Sequence, residues 1–482
     1  MNIVFIPVYI SFIGIESYGL ISFYSLLYLW FNLLDFGLSP AASRLSARFT
    51  GGDGSATEIR IFIVSAEIVM LCMGLIIFLG TLTSSSWLAN SWIKTEKLLP
   101  DEVAYSICLM GVVIACRVIE GLYKSSLNGL QRQVHLNVAN ALIATIRGVG
   151  AIFVLKYISP TIAAFFWWQI FVSIASALLL RSMTFSALPN PTKPVKFSLK
   201  SLLENSQFSG GMMAISLVTL ISSQADKVML SKFLSLSDFG SYSLAFLIAN
   251  SLFIFITPIS QAFYPEFCRL HAENDEKGIR ALFHKGVQLG AVLGSTISMI
   301  VIFQSSTLLL LWTGNQDLTE STSSLLSVLM LAFFINSFLE LPHFIQLTYG
   351  YVKIALRTNI ALCIFTIPML YMMIPAYGVM GVAWALVVVN CMQFIFVAPL
   401  MLRCLGMGII RIWMLKDILF PTLIAITLVA FLNLFAEMID SRNQKILYLF
   451  SEFILILLIV GFSIKAIRVE ILNKMKTYLR LV

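Results

Sequence analysis

Long apolar runs alternate with short polar connections from one end of this chain to the other. A helix that crosses a bilayer needs about 20 mostly apolar residues. Segments of that kind are read at 1–13, 19–42, 61–83, 102–124, 136–157, 161–182, 207–231, 241–264, 286–311, 323–349, 354–375, 379–402, 417–436 and 446–466. The pattern therefore predicts an all-α polytopic membrane protein with about fourteen transmembrane helices. The first segment is the exception, because only about 13 residues precede Gly14, too few to span.

The pattern is also written twice. An offset of 221 carries Phe12 onto Phe233, Gly19 onto Gly240, Ser39 onto Ser260, Arg48 onto Arg269 and Gly129 onto Gly350. A near-constant offset held over so long a stretch points to a duplicated unit, a common way to build a transporter in lipid. Between the copies, 183–206 gathers Pro189, Pro191 and Pro194 with Lys193, Lys196 and Lys200, a composition that prefers solvated extended chain. The expected organisation is an N-terminal six-helix lobe over 1–182, a cytoplasmic linker over 183–206 and a second six-helix lobe over 207–402. Two extra helices and a basic cytoplasmic tail follow over 403–482. Six is even, so the two lobes enter the membrane from the same side, as parallel repeats. Under the offset Met1 aligns with Ser222, so the first helix reads as truncated and the favoured expectation is a start codon upstream of Met1.

Composition agrees: 59% of residues are hydrophobic and only 12% charged, far from the roughly 25% charged content of soluble domains. A formal charge of +8 is of the sign that binds nucleic acid, but its distribution argues otherwise. Loops after even-numbered segments, with the tail, hold 23 Lys and Arg against 6 in the odd loops. By the positive-inside rule the even loops and the C-terminus are cytoplasmic. The seven cysteines form no CxxC pair and read as buried small hydrophobes, and the four histidines are scattered. With no nucleophile triad, phosphate loop or metal-ligand spacing, neither an enzyme nor a cofactor site is expected.

Certain stretches carry a family resemblance. Phe12-Ile-Gly-Ile-Glu-Ser-Tyr-Gly19, Leu34-Asp-Phe-Gly-Leu-Ser39 and Arg48 resemble the opening of O-antigen and other polysaccharide-lipid flippases, in the multidrug/oligosaccharidyl-lipid/polysaccharide exporter superfamily. Gly129-Leu-Gln-Arg-Gln133, Ala225-Asp-Lys227, Phe239-Gly-Ser-Tyr-Ser243, Tyr264-Pro-Glu-Phe-Cys-Arg269 and Tyr377-Gly-Val-Met-Gly-Val-Ala383 agree. The motifs are short, and they identify the superfamily better than the cargo. The resemblance implies two lobes around a cavity that opens to either face in turn, in a bacterial inner membrane. Its implied cargo is an undecaprenyl-pyrophosphate-linked oligosaccharide, driven by an H+ or Na+ gradient that the sequence does not tell apart. A polysaccharide polymerase and a chain-length regulator are the implied protein partners. The rivals are a drug or lipid II exporter of the same superfamily, and a membrane enzyme that polymerises or modifies lipid-linked glycans. The enzyme would normally show a large polar periplasmic loop, whereas the longest outer loop here, 84–102, is short and has no histidine.

A charge near a helix centre costs about 2.5–3.5 kcal/mol on insertion scales, which makes each intramembrane charge a candidate. Arg147, near the middle of segment five, reads either as a phosphate or glycan contact or as half of a structural ion pair. Arg117, Glu120 and Lys124 share one face of segment four, where Arg117 and Glu120 can neutralise each other and Lys124 can snorkel. Glu340 and His343 lie on the matching helix of the second lobe, and Gly121 and Pro342 suggest a bend in each. Asp35 stands beside Gly37 and Pro40, where a helix-terminus hydrogen bond is expected. Arg147, Arg117, Glu120, Asp35, Glu340 and His343 are the cavity candidates. Glu67 and Asp226 are the candidates for binding a coupling ion, since a buried carboxyl favours its protonated form.

Overall fold

The computed structural model describes residues 3–191, 194–436, 439, 441–464 and 468. The expected tail beyond 468 and Lys193 of the linker lie outside them. The helices in chain order are α1 (Ile6–Phe31), α2 (Leu38–Thr50), α3 (Ala56–Trp87), α4 (Pro100–Gly129), α5 (Gln133–Tyr157), α6 (Ile162–Ser186), α7 (Leu199–Phe233), α8 (Leu236–Asn250) and α9 (Phe253–Ala272). They continue with α10 (Glu276–Phe303), α11 (Ser305–Thr313), α12 (Gln316–Ser337), α13 (Glu340–Thr348), α14 (Val352–Met392), α15 (Ala398–Met401), α16 (Met407–Ile412), α17 (Phe420–Ala436) and α18 (Arg442–Ser463). Among the described residues there is no strand, only an isolated bridge between Lys94 and Ser235. The fold is all-α and polytopic.

Helix ends follow local chemistry. Ser55 and Glu58 close a capping box at the start of α3, and the side chains of Thr161, Ser198, Asp275, Asn315 and Ser441 accept backbone N–H groups at the starts of α6, α7, α10, α12 and α18. Pro100 opens α4, where its missing N–H costs nothing. Between α1 and α2 the chain turns through left-handed Phe36 and Gly37.

Eleven helical stretches among the described residues are long and apolar enough to cross a membrane. They overlap thirteen of the fourteen expected segments, of which 19–42 and 286–311 run furthest beyond them. Ile6–Phe31 takes in the first segment and much of the second, with a kink at Gly14 (φ 79°), and Arg357–Leu405 joins two more across Gly378 (φ 58°). The remaining segment, 207–231, lies within α7. Of the two expected bends, α4 runs unbroken through Gly121, whereas α12 stops at Ser337 and α13 restarts two residues before Pro342. Proline is tolerated there because a first-turn N–H has no helical partner to lose.

By contacts the chain forms two compact units, Met1–Gly240 and Ser241–Val482, so the division falls inside α8. The duplication is visible in the elements themselves. The offset of 221 carries the start of α3, Ala56, onto Lys277, one residue into α10, and the start of α5, Gln133, onto Ile354, two residues into α14. In the first unit α4 packs against α2, α3 and α6; in the second, α10 packs against α9, α12, α17 and α18.

Candidate functional site

The first unit encloses a cavity of roughly 150 Å3 between α1, α4, α5 and α6. Tyr9 and Tyr24 come from α1, Arg117, Glu120 and Lys124 from α4, Asn140, Ile143, Ala144, Arg147 and Gly148 from α5, and Gln169 from α6. The spacing that puts Arg117, Glu120 and Lys124 on one face of α4 turns all three into it.

Glu120 is the hub, its side chain only 1% exposed. One carboxylate oxygen accepts from Lys124 Nζ at 2.9 Å. The other accepts from Arg147 Nη2 at 3.3 Å and from the Ser176 hydroxyl, which makes a short hydrogen bond. Arg147 Nη2 also reaches Ser173 Oγ at 3.3 Å, while its Nε is buried with no hydrogen-bond partner. Arg117 takes a different neighbour from the one its spacing suggests. Its Nη1 donates to Tyr24 Oη at 2.8 Å, and its guanidinium carbon stands 5.0 Å from the centre of the Tyr28 ring. The aromatic faces that hold it come from another helix, which a one-helix spacing argument does not see. Tyr9 is fixed by donating to the Gly148 carbonyl at 3.0 Å.

Three permanent cations therefore share a cavity with one carboxylate, leaving two positive charges uncompensated among its lining residues. For Arg147 the structure shows the structural ion pair, one of its two expected readings. It pairs with an acid of a neighbouring helix, and it still presents an unused donor. The second repeat has no such set, because the offset carries Arg117, Glu120, Lys124 and Arg147 onto Phe338, Leu341, Ile345 and Pro368.

The other candidates lie outside this lining. Asp35 accepts the Ser39 N–H at 3.1 Å and its hydroxyl, a helix-terminus hydrogen bond at the start of α2. Glu67 pairs with Arg181 Nε at 2.8 Å. Asp226 is buried on α7. Glu340 accepts from Thr257 Oγ1 at 3.2 Å, and His343 is exposed on the same short helix. The sequence reading passes over Tyr9, Tyr24, Asn140, Gln169, Ser173 and Ser176. Ser173 and Ser176, three apart in a mostly apolar helix, are the available signal, since small polar residues there face protein rather than lipid.

Residues 1–271 match the family described as Polysaccharide biosynthesis protein, and residues 212–372 match the MatE family. No curated protein sequence matches the chain. Among solved structures it is similar to an inward-facing multidrug resistance MATE family transporter of the MOP superfamily, with TM-score 0.70 and 13% identity over 84% of this chain and 94% of that one. It is also similar to the lipid II flippase MurJ in an inward closed conformation, with TM-score 0.63 and 14% identity over 96% and 98% of the two chains. A third is the MATE multidrug transporter DinF-BH, at TM-score 0.56 and 14% identity over 85% and 93%. At such identities the likeness is one of fold, whereas the family match covers more than half of the chain. The chain belongs to the polysaccharide biosynthesis protein family.

Proposed function

We propose that this protein is a flippase that carries an undecaprenyl-pyrophosphate-linked oligosaccharide across the bacterial inner membrane by alternating access. The observation that carries the proposal is the cavity charge: Arg117, Lys124 and Arg147 line the cavity with a single carboxylate, Glu120. A pyrophosphate crossing lipid needs cations that water does not fully screen, and a guanidinium fork matches its oxygens two at a time. Asn140, Gln169 and the tyrosines offer the mixed donors and flat faces that sugar rings use. The polyprenyl tail can remain in the bilayer throughout, and no covalent bond is made or broken. The C-terminus is assigned to the cytoplasm by the loop charges, and an ion gradient supplies the drive.

The test is complementation. In a strain lacking this gene, surface polysaccharide should disappear while the lipid-linked repeat unit accumulates on the cytoplasmic leaflet. The wild-type gene should restore export, and a variant with both Arg117→Ala and Arg147→Ala should not, at equal abundance in the membrane. Undiminished polysaccharide in the deletion strain, together with new sensitivity to cationic drugs, would overturn the proposal in favour of a drug exporter. Accumulated lipid II would do so in favour of a lipid II exporter.

A further inference from the structure

The helix pair α17 and α18 has no counterpart in the internal repeat. Within α18 lies Glu452, only 2% exposed, and facing it is Gln304, also 2% exposed, at the end of α10. Gln304 Nε2 donates to Glu452 Oε2 at 2.5 Å. The two remaining oxygens of the pair, Oε1 of Glu452 and Oε1 of Gln304, are both buried and neither has a hydrogen-bond partner. Two acceptors without a donor inside one buried contact is a deficit of one proton.

Among the described residues of the helices packed on α18, no cation makes up for it. Among the described residues, the elements chiefly packed on α18 are α10, α11 and α17. The described residues of α11 and α17 contain no Asp, Glu, Lys, Arg or His. On α10 the ionisable groups are Glu276, Lys277, Arg280, His284 and Lys285, all at the end far from Gln304, and His284 there meets Asp417. On α18 itself Arg442 and Lys445 sit in the first turn, with Arg442 bonded to the Leu311 carbonyl. Tyr448, one turn before Glu452, gives its hydroxyl proton to the Leu432 carbonyl. An ionised carboxylate at 452 would rest on one neutral amide in a buried contact, the arrangement that buried charges avoid by neutralising.

We propose that Glu452 is a proton-binding site: its carboxyl is protonated at neutral pH and, as a neutral acid, latches α18 to the end of α10 through Gln304. The acid hydroxyl donates to the amide oxygen while the amide N–H donates to the acid carbonyl, so both orphan acceptors are used. The latch lies outside the cationic cavity and does not depend on what that cavity carries.

Infrared difference spectroscopy on the full-length protein in lipid at pH 7, wild type against Glu452→Gln, reads the protonation state directly. The expected result is a carboxylic-acid carbonyl band present in the wild type and missing from the variant. A difference confined to carboxylate stretches would overturn the proposal. Glu452→Gln should also accumulate within twofold of wild type, because an amide can make both hydrogen bonds. A fivefold or greater loss would mean that the negative charge itself is required, and would equally overturn it. Gln304→Leu supplies the independent check: with its acceptor removed the acid band should move to higher frequency, and an unmoved band would refute the pairing.

Discussion

Gly19 on α1 and Gly240 on α8 are 221 residues apart, and each lies against the backbone that precedes the other. A methyl group added at Gly19 would stand 2.3 Å from the carbonyl oxygen of Leu236, and one added at Gly240 would stand 2.5 Å from that of Ile15. Ile15 and Leu236 are themselves related by the same offset. The contact is thus reciprocal, with duplicated glycines letting duplicated helices cross at backbone distance, as small residues do between helices in membranes.

Gly19→Ala and Gly240→Ala should each destabilise the protein by about 1–3 kcal/mol, the usual cost of overpacking a tight contact. The double variant should fall short of additivity, because helices already pushed apart by one methyl accommodate the second more cheaply. Thermal unfolding midpoints in detergent check both points. Additive losses would show that the two contacts are independent.

Glu120 and Arg147 should behave differently although they touch. Removing the acid with Glu120→Ala leaves Arg147 and Lys124 facing each other without their shared anion, and the expected loss is about 3–5 kcal/mol of stability. It should appear as depleted protein in the membrane. Arg147→Ala leaves Glu120 with Lys124 and Ser176, so abundance should hold while polysaccharide export is lost; Arg147→Lys should keep part of it. Quantitative immunoblots alongside export assays separate the two outcomes.

Arg117 is held by ring faces as well as by its hydrogen bond to Tyr24. Arg117→Lys preserves the charge but loses the flat stack on Tyr28, a contact of about 0.5–1 kcal/mol, or about 2 where water is excluded. Export should fall several-fold at unchanged abundance, and Tyr28→Leu should produce a similar deficit. Wild-type export by both variants would remove cation stacking from the site.

Topology follows from the loop charges. Reporter fusions after residues 200 and 482 should act as cytoplasmic and one within 84–102 as periplasmic. A periplasmic C-terminus would mean an odd error in the number of crossings.

The sequence by itself determined the fold class and where most of the long apolar helices lie, because each rests on composition within a single stretch of chain. Arg147, Arg117 and Glu120 were legible as candidates for the same reason, since a charge inside an apolar run is conspicuous wherever it points. What only the tertiary structure decided is which groups meet. Glu120 finds Arg147 at 27 residues' separation and Ser176 at 56, and Glu452 finds Gln304 at 148. Glu452 draws no notice in the sequence, although it too is an acid within an apolar run, because nothing near it in the chain hints at a partner. Helical periodicity fixes the face on which a side chain sits, but how each helix is turned toward its neighbours is set by packing among distant segments, and that is where partners are chosen.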